Sequence, residues 1–256
     1  MLENNQFDLK LNIRRDIRFF SIKNNLKYIR NILIIVSPKG GVGKSTFTFL
    51  LTNYFYSSKK KIGVWDLDLS NPSLSIIFGA YNLKFKEENG IVPPSVFDNI
   101  KFLSIDQFIG DNKILALRGN EITEIILELL TITNWGYLDY LIIDTPPTLT
   151  DTFLDLMRFI PSVKLILITD NSILSLNSAL KFLNFLKENN LNLFLLVINK
   201  IHPIYLNSFN KYLKNLIDNV DKYIYLDYIE NIQNYYGKIE FKIEKIYKDL
   251  SNIFKE

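Results

Sequence analysis

Short, wholly apolar runs alternate along this chain with longer stretches in which apolar residues recur every three or four positions. Asn31–Ser37 (NILIIVS), Lys61–Asp66 (KIGVWD), Leu138–Asp144 (LDYLIID), Val163–Thr169 (VKLILIT) and Leu193–Asn199 (LFLLVIN) read as strands. Each is apolar on both faces, the pattern of a parallel strand covered by helices above and below. Lys44–Ser58, Gly119–Thr133 and Ser172–Asn189 have helical spacing, the second through Ile122, Ile125, Ile126, Leu129 and Leu130. A last helix is expected over Lys238–Phe254, from Ile239, Ile243, Ile246, Leu250 and Ile253. This alternation predicts an α/β fold, a doubly wound, mostly parallel sheet with helices on both faces. With no repeat or compositional break, the expected organisation is a basic extension over residues 1–30 and one domain over 31–256. Tyr81–Ser95, with Gly90, Pro93 and Pro94, is expected to be a mobile loop or insertion.

Composition narrows the chemistry. The 256 residues, 48% hydrophobic and 22% charged, suffice for one large core and are too apolar for a disordered chain. No apolar run approaches the roughly 18 residues of a membrane span, and MLENNQFDLK has no apolar signal core, so a cytoplasmic protein is expected. The absence of cysteine excludes disulfides, thiol nucleophiles and an iron–sulfur cluster held by the chain's own thiolates. With a single histidine, His202, a multi-histidine metal site is excluded too, which leaves a hard, oxygen-liganded ion such as Mg²⁺. The net charge of +3 is concentrated at one end, where Lys10, Arg14, Arg15, Arg18, Lys23, Lys27 and Arg30 stand against Glu3, Asp8 and Asp16. Such an arm reads first as a solvated, structured extension, and otherwise as a contact for an acidic partner, nucleic acid or lipid headgroups.

The segment Ser37-Pro38-Lys39-Gly40-Gly41-Val42-Gly43-Lys44-Ser45-Thr46 follows a predicted strand and opens a predicted helix, the setting of a phosphate-binding loop. Its glycines let backbone N–H groups turn toward phosphate oxygens, and the helix N-terminus adds its positive end. Lys44 is placed to neutralise the β and γ phosphates of ATP, and the Ser45 hydroxyl to ligate Mg²⁺. Pro38 occupies a position where the strict pattern has glycine.

With Lys39 as a second, early lysine, KGGVGKS resembles the deviant loop of the MinD/ParA/Mrp group of ATPases. The resemblance implies that Lys39 reaches the partner's phosphates across a nucleotide-sandwich homodimer. It makes Trp65–Ser73 (WDLDLSNPS) a first switch, with Asp66 and Asp68 directed at Mg²⁺ and the attacking water. Leu141–Pro147 (LIIDTPP) becomes a second switch with Asp144 at the carboxyl end of its strand, where ligands bind in open α/β sheets. Within the group the chain is most similar to the Mrp-type iron–sulfur carrier ATPases, through Arg118-Gly119, the run Trp135–Pro147 (WGYLDYLIIDTPP) and Asp151. Asn199 matches the family's purine-contacting asparagine.

The departures are specific. Thr148 replaces a glycine, Thr169-Asp170 replaces Thr-Pro, and the downstream Cys-x-x-Cys is missing, Lys200-Ile201-His202-Pro203 standing after Asn199. The implied activity is therefore that of a dimerising Mg-ATP hydrolase and nucleotide-driven switch with an unidentified protein partner and no cluster of its own. The catalytic set is Lys39, Lys44 and Asp68, and the metal set Ser45, Asp66 and Asp144. The nucleotide set is Gly40, Gly41, Val42, Gly43, Lys44, Ser45, Thr46 and Asn199. Two other readings come from the same lineage. Asp144–Leu149 (DTPPTL) is similar to ParA proteins, which position cargo on DNA or membrane. Asp66–Leu74 and the late Tyr223, Tyr225, Tyr228, Tyr235, Tyr236 and Tyr247 are similar to bacterial tyrosine kinases, although packing accounts better for these tyrosines. The charge along the last helix alternates, Lys242, Lys245 and Lys248 with Glu240, Glu244 and Asp249, which favours packing on the sheet over a membrane anchor.

Overall fold

The computed structural model describes residues 17–69, 72–81, 83–109, 119–147, 151–201, 211–239 and 242–254. Lys10, Arg14 and Arg15 of the basic arm, Ser70 and Asn71 of the first switch, Arg118, Thr148, Leu149, His202 and Pro203 lie outside these residues.

In chain order, α1 (Arg18–Leu26) leads into β1 (Ile29–Val36), α2 (Lys44–Ser57), β2 (Ile62–Asp66) and the short α3 (Leu74–Ile77). Small strands β3 (Lys86–Glu87), β4 (Ile91–Val92) and β5 (Ser95–Phe97) precede β6 (Ile100–Ser104), α4 (Asp106–Ile109) and α5 (Gly119–Ile132). Then come β7 (Leu138–Asp144), α6 (Asp151–Phe159), β8 (Lys164–Asp170), α7 (Ile173–Glu188) and β9 (Leu193–Ile201). The chain closes with α8 (Lys211–Ile217), β10 (Tyr223–Asp227), a 3₁₀ turn at Ile232–Tyr235 and α9 (Glu244–Ile253).

Eight strands form one sheet in the order β10-β9-β8-β1-β7-β2-β6-β5. All pairings are parallel except β5 with β6. β1 sits between β8 and β7, so the strand order reverses around it, the position at which open α/β sheets form a crevice. Alternate residues of β1 enter two separate cores. Ile32, Ile34 and Val36 pack with α1, α5, α6 and α7, while Leu33 and Ile35 pack with α2, α3 and α9. Burial on both faces is why the central strands are continuous apolar runs.

The Trp135-Gly136 pair has a packing role. Trp135 is buried against Trp65, ring centroids 6.4 Å apart, and lies over Gly63, where a Cβ would come within 2.9 Å of the indole.

Two expectations are corrected. The stretch expected as a mobile loop or insertion carries, within residues 83–95, an antiparallel β3–β4 pair, with Ile91 buried and bridged to Thr133, so it is tied to the domain. The C-terminal helix begins at Glu244, after Ile243 in an extended conformation. Ile239 is buried, and Gly237 ahead of it takes a positive φ and donates its N–H to the Ile77 carbonyl. Apolar spacing there reflected two successive packing contacts, not one helix. β1 starts at Ile29, and α1 packs through Ile22 and Leu26 into the core beside α5. Leu250 and Ile246 bury α9 against α2, and among the described residues no helix is long and apolar enough to cross a membrane.

Candidate functional site

The loop between β1 and α2 reverses direction through two left-handed glycines, Gly41 (φ 76°) and Gly43 (φ 93°). Gly43 is required twice over. Its conformation disfavours L side chains, and a Cβ there would lie 2.2 Å from the Asn199 amide nitrogen. That nitrogen donates to the Val42 carbonyl at 2.8 Å, and the Lys200 ammonium donates to the Gly41 carbonyl at 2.5 Å. Two loop carbonyls are thus tied to β9. Because C=O and N–H point oppositely across a trans peptide, the N–H sides of these peptides face away from β9. Gly40 and Gly41 are exposed, and Val42 is buried.

Strand register brings the carboxylates together. β7 lies between β1 and β2, with Asp144 level with Ile35 on one side and Asp66 on the other. Asp144 is fully buried, yet its acceptors are filled from α2. Lys44 Nζ donates to Oδ1 at 2.8 Å, Ser45 Oγ to Oδ2 at 2.7 Å and Thr48 Oγ1 to Oδ1 at 3.2 Å. Lys44 and Thr48 are four residues apart and share a helix face. Asp66, equally buried, accepts from the backbone N–H groups of Asp68 (3.0 Å), Ser73 (3.1 Å) and Leu74 (3.0 Å). Ser73 Oγ donates to Ser45 Oγ at 3.1 Å, closing a network between the segment after β2 and the start of α2.

Burial, and next the negative charge of Asp144, push the Asp66 carboxyl up to about 8, against the opposing pull of the Leu74 and Asp68 N–H groups and of Lys44. Two adjacent buried carboxylates sharing one lysine are short of positive charge. Hard oxygen donors from Ser45, Asp66 and Asp144 therefore suit Mg²⁺. Among the described residues no group of three or more His, Cys, Asp and Glu side chains could hold a metal by itself. The donor set matches an ion that uses few carboxylates and completes its shell with water and phosphate oxygens.

Lys39 stands apart from this network. It is half-buried, with its charge beside Asp170 at the end of β8. Burial alone would raise the Asp170 carboxyl, but hydrogen bonds from Ser172 and Ser175 and the Lys39 charge outweigh it and hold the group below its ordinary value. Asp68 is half-buried just beyond β2. Thr46 Oγ1 is 3.5 Å from the Tyr236 hydroxyl, and that ring packs edge-on to Phe49. Thr48 and Lys200 are contributors that sequence reasoning did not single out, and Ser73 and Tyr236 appear in it only within the first-switch segment and among the late tyrosines. Only Thr48 carried a local signal, its spacing from Lys44. The other late tyrosines range from half-buried, as in Tyr225 and Tyr247, to exposed, as in Tyr228.

A family model described as ParA, NUBPL iron-transfer P-loop NTPase, matches residues 28–215. The chain is 33% identical over 184 residues to the cytosolic Fe-S cluster assembly factor NBP35 of Kluyveromyces lactis, covering 70% of this chain and 56% of that protein. It is 38% identical over 144 residues to an iron-sulfur cluster carrier protein of Methanocaldococcus jannaschii, covering 56% of this chain and 50% of that one. The chain therefore spans about half the length of these relatives. Among solved structures it is similar to a nucleotide-binding protein in complex with ADP from Archaeoglobus fulgidus, with a TM-score of 0.70, 24% identity, and coverage of 87% of this chain and 91% of that one. It is also similar to the cell division ATPase MinD of Pyrococcus furiosus, with a TM-score of 0.61, 22% identity, and coverage of 88% and 98%. These last two likenesses establish the shared fold.

Proposed function

The chain belongs to the NUBPL iron-transfer P-loop NTPase family of the ParA group, and from that membership we propose that it binds and hydrolyses ATP as a homodimeric, nucleotide-driven switch. The observation that carries the proposal is the buried Lys44–Asp144 pair, with Ser45, Thr48 and Asp66 packed around it at the mouth of the phosphate loop. An ion pair this deeply buried is a weak source of stability, and it costs desolvation. It does keep the phosphate-binding lysine poised and its partner carboxylate in place.

Entry of the β and γ phosphates takes Lys44 from Asp144. Asp144 then keeps the hydroxyls of Ser45 and Thr48, and its neighbour Asp66 keeps three backbone N–H donors. Mg²⁺, held by Ser45, Asp66 and Asp144, would supply neutralisation of phosphate charge. Asp68, just beyond β2, orients the attacking water. Lys39, outside the Asp144 network, extends to the partner's phosphates, and Gly40–Thr46 line the nucleotide. Asn199 braces the loop through Val42, and its Oδ1 accepts from the adenine amine. Release of the nucleotide returns Lys44 to Asp144, so this pair marks the empty state of the switch, and β7 passes the change to Thr145–Pro147.

The relatives named above are an Fe-S assembly factor and an Fe-S carrier. This sequence contains no cysteine, so its place in such a process is that of an ATPase acting with a thiol-bearing protein partner. Anaerobic iron–sulfur reconstitution of the isolated chain is expected to leave no cluster absorption after desalting. The direct test is binding of labelled ATP. The wild-type chain is expected to bind and Lys44→Ala to bind none. Equal affinity for the two would show that the loop is not a nucleotide site.

A further inference from the structure

The opposite edge of the sheet carries a second concentration of charge. At the amino ends of the strands, in spatial order, stand Lys222 (before β10), Lys164 (β8), Arg30 (β1), Lys61 (before β2) and Lys101 (β6). Acids stand among them too, Asp221 beside Lys222, Asp98 before β6 and Asp139 at the start of β7. Asp139 accepts from Arg30 Nη1 at 3.3 Å, from the Tyr137 hydroxyl at 3.0 Å and from the Lys61 backbone N–H at 2.9 Å. The cations are held close by sharing aromatic rings. Lys164 and Lys222 lie 5.1 and 4.9 Å from the centroid of Phe194, and Arg30 and Lys61 lie 5.4 and 5.5 Å from that of Tyr137.

Between α1 and the start of β8 this edge opens into a cavity of about 260 Å³, whose walls include Lys23, Lys27, Arg30, Asn31, Ser162 and Lys164 and, among the described residues, no Asp or Glu. Lys164 Nζ is fixed there by Asn31 Oδ1 at 2.8 Å, and the Asn31 amide in turn donates to the Asp139 carbonyl at 3.2 Å. Burial, and then the charge of Lys222, pull the Lys164 ammonium below its ordinary value. The C-terminal end of α1 accounts for lysine at positions 23 and 27, since cations complement a helix C-terminus. It accounts for neither Arg30, Lys164 nor Lys222. Lys222 stands outside the cavity, and of the four cations that line it Arg30 is partnered by Asp139 and Lys164 by Asn31; like charges gathered this closely still favour an anionic ligand.

We propose that this cavity is a second anion site, which binds a phosphate group carried either by a free phosphorylated compound or by a lipid headgroup. Four cations approach from two sides, α1–β1 and β8. A phosphate dianion, with three oxygens spread in space, meets donors from several directions, whereas a carboxylate offers one charge in one plane.

The test is titration of the full-length, ¹⁵N-labelled chain with inorganic phosphate. Saturable amide shifts are expected at residues 27–32 and 162–164, separate from any at Gly40–Thr46. Lys23→Gln/Lys27→Gln, two exposed changes, should weaken the first set at least about tenfold, and Lys27→Arg should not. Shifts confined to Gly40–Thr46, or equal affinity in the double variant, would overturn the proposal. A sedimentation arm separates the sources. Pelleting with phosphatidylglycerol vesicles but not with phosphatidylcholine alone, reversed by phosphate, assigns a headgroup. Saturable shifts without pelleting assign a free phosphate compound.

Discussion

The two edges of the sheet handle charge in opposite ways. At the carboxyl edge Lys44, Asp66 and Asp144 are buried and knit to one another and to hydroxyls and backbone N–H groups. At the amino edge Lys23, Lys27, Arg30 and Lys222 are exposed, Arg30 is paired with Asp139, and Arg30 and Lys222 also lie over aromatic rings. Buried charge survives only when paired, so a network that also serves a ligand must carry its own substitute partners when empty. Exposed charge is screened by water and needs none. Deleting a charge should therefore harm the carboxyl edge and relieve the amino edge.

Lys39 should give the largest effect because it sits outside the buried network. Lys39→Ala is expected to bind ATP, since Lys44 and the loop stay in place, and to lose hydrolysis by about 10³–10⁵-fold, the scale of an arginine finger supplied in trans. Sedimentation with and without ATP should show dimerisation lost with it. A monomer that hydrolyses at the wild-type rate would remove the trans role. Lys44→Ala comes next. Breaking a buried pair should destabilise the fold by about 3–5 kcal/mol, read by urea unfolding without nucleotide. A change below about 1 kcal/mol would mean that Ser45 and Thr48 alone satisfy Asp144.

The same contrast explains what the sequence revealed. The central strands were legible because burial on both faces leaves nothing but apolar residues. β6 was missed because IKFLS is short, and β10 because YIYLD sits at an edge with Tyr223 exposed. The loop lysines and the three aspartates could be found because each stands at a strand or helix end in a recognisable string. Ser73 on Ser45, Asn199 on Val42 and Tyr236 near Thr46 join residues 28, 157 and 190 positions apart, and no local pattern records such pairs. The amino-edge row is scattered likewise, one cation at each of five strands, and becomes a feature only when the strand order is known.

Two smaller effects probe the carboxyl edge further. Gly43→Ala should cost about 1–3 kcal/mol, from the left-handed backbone and the collision with Asn199. Part of that cost should vanish in an Asn199→Ala background, and an unchanged cost would assign it all to the backbone. For Asp66 the sign follows from its raised carboxyl. The folded chain holds this proton more tightly than the unfolded chain, so the stability it contributes is complete below pH 3.8 and is lost as the pH rises toward about 8. In Mg²⁺-free buffer, the melting temperature of the wild type should fall relative to Asp66→Asn across that window. Parallel pH curves would mean that Asp66 ionises normally.

The smallest effect is the one that isolates the amino edge. Lys164 titrates low for two reasons, burial first and the charge of Lys222 second. Lys222→Gln removes the second and leaves the first, because the Asn31 contact and the packing at the start of β8 do not involve the Lys222 side chain. The Lys164 ammonium should therefore titrate higher in the variant, yet still below an ordinary lysine, as followed by carbon NMR of its ε-methylene. High salt should move the wild type in the same direction and the variant much less, since screening acts on the interaction between exposed charges and leaves desolvation untouched. If the variant and the wild type titrate together at low salt, burial alone sets the lysine. The crowding of cations along this edge would then be a matter of spacing with no energetic consequence.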